Sequence, residues 1–170
     1  MSLSPPVESD WPIYLTTTVV INAPQKKVWD TLVDFSAYAR SHTDSRKATL
    51  LDGSKKPLPG PNPPLAKGNY IGLDVHMPPS MDDSIKPRAL TEVIMQVEPE
   101  RQLVWGSARS AWLFGAQRWH TVTEIDAQTT KLEIIAVFSG LGPGLAKAWM
   151  RTTVTACVEG MAAALKRRCE

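Results

Sequence analysis

Arg118, His120 and Glu124 occupy alternate positions of one short run, Ala116-Gln-Arg-Trp-His-Thr-Val-Thr-Glu-Ile-Asp126. If the run is a strand, they share a face with Val122, and neighbours two residues apart stand about 7 Å from one another. An imidazole flanked by a carboxylate and a guanidinium is a proton-transfer set suited to neutral pH. The opposite parity is Trp119, Thr121, Thr123 and Ile125. In that phase the tryptophan is core and His120 is solvated, and alternation alone leaves both phases open.

The other histidines, His42 and His76, have no paired metal-ligand spacing, and neither His-Glu-x-x-His nor Cys-x-x-Cys occurs. No metal and no other cofactor is expected. Cys157 and Cys169 are separated by about 18 Å if they share one helix, too far to bridge. Cys157 reads as a small buried hydrophobe rather than a nucleophile. Ser139-Gly-Leu-Gly-Pro-Gly144 lacks the lysine of a phosphate loop and reads as a hinge.

The elements that position these groups follow from periodicity. Ile13 to Ile21 is β-branched or apolar, a first strand. Asn22-Ala23-Pro24 ends it, and Val28, Trp29, Leu32 and Val33 recur at helical spacing over 24–33. Asp34 can cap a second short helix over Phe35–Arg40. A strand over 46–52 precedes 53–68, a segment with five prolines and no apolar periodicity. Long loops of this kind are either mobile covers over a site or tolerated insertions.

Strand signals then follow in series at 69–76, 88–98, 101–108, 116–126 and 130–139, joined mostly by short turns. That spacing implies an antiparallel meander. Ile71, Leu73, Val75 and Met77 form one inward set, leaving Asp74 and His76 outside. On 88–98 the set is Ala89, Thr91, Val93, Met95 and Val97, with Glu92, Gln96 and Glu98 opposite. Leu103, Trp105 and Ser107 are assigned inward, as are Leu132, Ile134, Ala136 and Phe138. Residues 145–168 form a long helix with a stripe through Leu145, Trp149, Thr153, Ala156, Gly160 and Ala164. The arrangement that buries all these faces is an α+β fold, with a curved seven-stranded antiparallel sheet around the terminal helix and two short helices after strand 1.

Composition sets the class. The chain has 170 residues, 43% hydrophobic and 21% charged, with nineteen Lys+Arg against seventeen Asp+Glu for a net charge of +2. This is one globular domain over 13–170 with a flexible tail at 1–12. The balance argues against a dedicated nucleic-acid binder. No run approaches a membrane span. The first ten residues lack the pattern of a signal peptide, and two unpaired thiols fit a cytoplasmic protein. The expected assembly is a monomer or weak homodimer.

Thr18-Val-Val-Ile-Asn-Ala-Pro-Gln-Lys-Lys-Val-Trp29 resembles the opening strand and helix of the START/Bet v 1-like (SRPBCC) superfamily, in particular its polyketide cyclase/dehydratase branch. Asp34-Phe-Ser-Ala-Tyr38, Val97-Glu-Pro-Glu-Arg-Gln-Leu-Val-Trp105 and Phe138-Ser-Gly140 resemble later family segments. After Tyr38 the chain departs from the family, with Ser41, His42 and Thr43 in place of the usual Trp and Asn-Pro. The resemblance implies a helix-grip fold around an internal cavity, and it turns His120 and Val122 inward.

On that footing His120, Glu124 and Arg118 are the candidate catalytic residues, with Arg118 or Tyr70 polarising a carbonyl. Candidate ligand contacts are Trp105, Val122, Ile134 and Phe138 from the sheet and Trp149, Thr153, Ala156 and Gly160 from the helix. Small side chains at the last two leave volume for a ligand. Trp112 and Phe114 are either core plugs or lipophilic contacts at the cavity rim, and His42 lies near the expected entrance. The expected partner is a hydrophobic small molecule. Three functions compete: a cofactor-independent cyclase, dehydratase or isomerase of a secondary-metabolite intermediate; a non-catalytic carrier; and a protein-interaction module, which would want a charged docking face.

Overall fold

The computed structural model describes residues 3–37, 45–60, 63–76, 82, 84, 86, 88–107, 115–140 and 147–170. His42, Met77, Trp112, Phe114 and Leu145 lie outside them.

Seven strands form one antiparallel sheet: β1 (Ile13–Ile21), β2 (Ser45–Leu51), β3 (Tyr70–Val75), β4 (Arg88–Glu98), β5 (Gln102–Ser107), β6 (Gly115–Asp126) and β7 (Thr129–Ser139). Their spatial order is β1-β7-β6-β5-β4-β3-β2, so the meander runs unbroken from β2 to β7 and β1 closes on β7. Helix α1 (Gln25–Val33) follows β1, and helix α2 (Lys147–Cys169) packs across the sheet. Pro24 is the N-cap of α1. The second short helix is a 3-10 turn, Phe35–Ala37, within the described residues.

The concave face and α2 share the main core. Leu32 from α1, Ile71 from β3, Leu103 from β5, Leu132 from β7 and Leu165 from α2 are all fully buried in it. The C-terminal turn of α2 is tied down by its basic residues. Lys166 Nζ donates to the Val20 carbonyl at 2.8 Å, and Arg168 Nη2 to Asp34 Oδ2 at 2.8 Å. These cations also sit at the negative end of the helix dipole.

The convex face has its own apolar cluster, Val104, Trp119, Ile135 and Val137, with Trp11, Tyr14 and Met95 packed against it. The segment before β1 therefore has a docking point on the sheet. Trp11 covers the cluster, and the Leu3 N–H donates to Gln96 Oε1.

Three inward assignments change. On β4, Glu92 and Ile94 are buried on the inner face while Met95 joins the convex cluster. A register shift between Ile94 and Gln96 then restores Val97 to the inner face opposite Leu103. A bulge inserts one residue and reverses the phase, which simple alternation over eleven residues misses. On α2 the buried stripe runs through Met150, Val154, Val158, Met161 and Leu165. His76 is buried, 2% exposed, because β3 ends at Val75 and its alternation ends there too.

The proline-rich segment is less loose than its composition implies. It folds back on the edge strand β2: Pro57 bridges Leu51 and the Leu58 N–H donates to the Leu50 carbonyl at 3.0 Å. Gly68 N–H to the Ile94 carbonyl, 2.9 Å, ties its other end to β4. Leu58 and Leu65 pack against the main core. Folding back covers an otherwise open sheet edge.

Candidate functional site

The inner face of β6 carries Ala116, Arg118, His120 and Val122, so the tryptophan at 119, not the histidine, faces outward. Cross-strand register sets His120 between Leu103 on β5 and Ile134 on β7, and Arg118 between Trp105 and Ala136. The imidazole is fully buried and lies against the Trp105 indole, ring centroids 4.1 Å apart and planes 22° from parallel. Phe35 meets the same indole edge-on at 6.1 Å and 74°. The three rings form a continuous aromatic wall from the 3-10 turn after α1 to the middle of β6.

Arg118 supplies the charge of the inner face. Its Nη1 donates to both oxygens of Glu92, at 2.7 and 2.6 Å. The Glu92 side chain is 6% exposed and the Arg118 side chain 22%. Desolvation of this kind is tolerated only because the two charges compensate each other. The Trp105 indole N–H is buried and has no hydrogen-bond partner among the described residues. A buried donor left so costs about 1–3 kcal/mol, and an acceptor on a bound molecule would recover it.

Several candidate residues are placed elsewhere. Glu124 is exposed near the far end of β6 and does not reach His120; among the described residues the buried carboxylate is Glu92. Tyr70 is half-buried on the outer face, where Lys55 Nζ lies 5.4 Å from its ring centroid. Its neighbour Ile71 takes the inner position. Trp149 is 57% exposed and Ala156 is exposed as well, while Thr153 is buried and Gly160 half-buried. The apolar residues of α2 are spread around much of its circumference, so periodicity offers two stripes about 100° apart and packing selects one. Val122, Ile134 and Phe138 are buried on the inner face with Trp105.

Glu92 was legible in one respect, since it stands between Leu90 and Ile94 at strand spacing. Phe35 was placed by the Asp34–Tyr38 resemblance and the start of the second short helix, but nothing in the sequence aims its ring at Trp105. No group of three or more His, Cys, Asp or Glu among the described residues is placed to hold a metal ion. No described helix is long and apolar enough to cross a membrane.

A pocket of about 500 Å³ opens beside this wall, between α1, β2 and the proline-rich segment. Phe35, Val33, Ala48, Leu50, Leu58 and Leu65 supply its apolar lining, with Asp30, Asp34, Ser36 and Thr49 on the polar side.

Residues 12–170 match the family model described as polyketide cyclase / dehydrase and lipid transport. No curated protein matches by sequence. Solved structures share the fold at low identity. A START superfamily protein from Mycobacterium smegmatis is 13% identical over 92% of this chain and 96% of that one, with a TM-score of 0.65. The ZhuI aromatase/cyclase from Streptomyces is 17% identical over 92% and 93%, with a TM-score of 0.69. StfQ, a di-domain aromatase/cyclase of the steffimycin biosynthetic pathway, is 10% identical over 95% of this chain and 51% of its own, with a TM-score of 0.69.

Proposed function

The chain belongs to the polyketide cyclase / dehydrase and lipid transport family, and from that membership we propose that it binds a lipophilic, polyketide-like molecule between sheet and α2 and acts on it as a cofactor-independent cyclase, dehydratase or isomerase. The observation that carries this reading is the Glu92–Arg118 pair on the inner face. Stability alone does not call for it, because well-packed apolar residues in place of a buried ion pair are often neutral or stabilising. A polar ligand does call for it. In this reading Arg118 polarises a ligand carbonyl and holds the oxygen as enolate charge develops. Glu92 fixes the guanidinium, and the aromatic wall orients a planar, flexible chain near its reactive conformer. His120, two residues along the same face, moves the proton. The Trp105 ring covers the imidazole, so its displacement is part of that step.

That cover also favours a second reading. A fully buried His120 stacked under Trp105 is what a carrier without acid–base chemistry would show. Incubation with a poly-β-ketone mimic, followed by mass spectrometry, separates the two. For an enzyme, His120→Ala lowers turnover about a hundredfold while product binding survives. Unchanged turnover in a folded variant removes His120 from the chemistry. Ligand capture by the wild type with no turnover establishes the carrier.

A further inference from the structure

Two indoles, Trp105 on the inner face and Trp119 on the outer one, are 3% and 4% exposed. Neither N–H has a hydrogen-bond partner among the described residues. Buried donors are seldom left so, and each such case calls for a cause. The two surroundings differ. Trp119 packs among Val104, Ile135 and Val137 beneath Trp11, Tyr14 and Met95, where burial of a large ring offsets the missing bond. Trp105 stands directly across from Arg118 in the β5–β6 register. Opposed side chains on one face start about 4.5–5.5 Å apart. The indole therefore shares its patch of sheet with the guanidinium that Glu92 holds. Its N–H lies in the ring plane, so the imidazole stacked on its face at 4.1 Å cannot accept from it.

We propose that the Trp105 Nε1–H is a specificity-determining donor, which selects a ketone over a hydrocarbon of the same shape by bonding the carbonyl oxygen beside Arg118. The proposal rests on the interior-binding reading above and names the group that this site selects. A hydrocarbon leaves the indole donor unmade, whereas a carbonyl completes it. Selection by a buried donor is stronger than selection by pocket shape, because the wrong ligand leaves a polar group unpaired. The same ring covers His120. One displacement thus uncovers the imidazole and brings a second donor to the oxygen that Arg118 polarises.

The test compares methyl naphthyl ketone with isopropylnaphthalene, which match in shape and differ in the carbonyl. Indole N–H protons are followed by NMR on the isotope-labelled full chain, with Trp105→Phe and Trp119→Phe assigning the two resonances. In the ketone complex the Trp105 proton should lie downfield of its position in the hydrocarbon complex, while the Trp119 proton should be the same in both. Trp105→Phe should weaken ketone binding about tenfold more than hydrocarbon binding. The lost ring volume affects both ligands alike, so this difference isolates the N–H···O bond. The shift is read on the wild-type chain and does not depend on a variant that folds. A Trp105 proton at one position in both complexes, or equal weakening of both ligands, would overturn the donor role and leave interior binding standing. Failure of the wild type to bind either ligand would remove the interior-binding reading and this proposal with it.

Discussion

Arg118 on β6 reaches past β5 to place Nη1 within 2.7 Å of both carboxylate oxygens of Glu92 on β4. The contact joins strands that are not neighbours in the sheet and sets a charge pair into a face otherwise built of Leu, Ile, Val and aromatic side chains. Removing one partner leaves the other charge desolvated. Glu92→Gln should therefore cost about 2 kcal/mol in urea unfolding, below the roughly 3–5 kcal/mol of a fully buried pair because Arg118 keeps some solvent access. The double change Glu92→Leu with Arg118→Met should recover most of that loss. A double variant no more stable than Glu92→Gln would show that the pair itself holds the sheet.

Trp11 is the cover of the convex cluster around Trp119 and Val104. Trp11→Ala should lower stability by about 2 kcal/mol, short of the roughly 3–5 kcal/mol of a core tryptophan because this ring is only half-buried. Loss of fluorescence quenching contrast at Trp119, read with acrylamide, would accompany it. An unchanged melting temperature would mean that the first strand holds the cluster closed unaided.

Burial pushes the Cys169 thiol above its ordinary value, the Thr31 contact opposing this only in part. The folded state thus holds the proton that the unfolded chain gives up near pH 9.0. Stability from this group is complete below that pH and falls as pH rises toward the folded value. Cys169→Ala should flatten the decline of stability in the alkaline range, measured by denaturant midpoints at several pH values. Native-state alkylation at position 169 should be slow at neutral pH, since the thiolate is the reactive form.

Amide exchange should divide the proline-rich segment. The Leu58 and Gly68 N–H groups, bonded to Leu50 and Ile94, should exchange much more slowly than Gly53, which lies exposed in the turn after β2. Uniformly fast exchange across 53–60 and 63–68 would mean that the whole segment opens as a unit.

Element identity was legible because it is local. β-branched runs such as Ile13–Ile21 and Thr129–Ser139 favour extended backbone whatever they pair with, and the apolar spacing of Val28, Trp29 and Leu32 favours one helical face. The order of closely spaced strands then leaves little choice but an antiparallel sheet closed by a terminal helix. Within β6, the two-residue spacing of Arg118 and His120 also set them on one face once the run was a strand.

The direction of that face, and what meets it, was a tertiary decision. Alternation defines two faces but not which is inside; Trp119 went to the convex cluster because Trp11 was there to cover it. One bulge after Ile94 reversed the phase of β4 and turned Glu92 inward. The partner of Arg118 therefore came from 26 residues away in sequence rather than from Glu124 on its own strand. Helix α2 likewise had apolar residues enough for two stripes, and contact with β1 and α1 chose the one through Met150 and Leu165 rather than Trp149. Periodicity is a property of neighbouring residues, whereas burial is a property of what the rest of the chain brings to them.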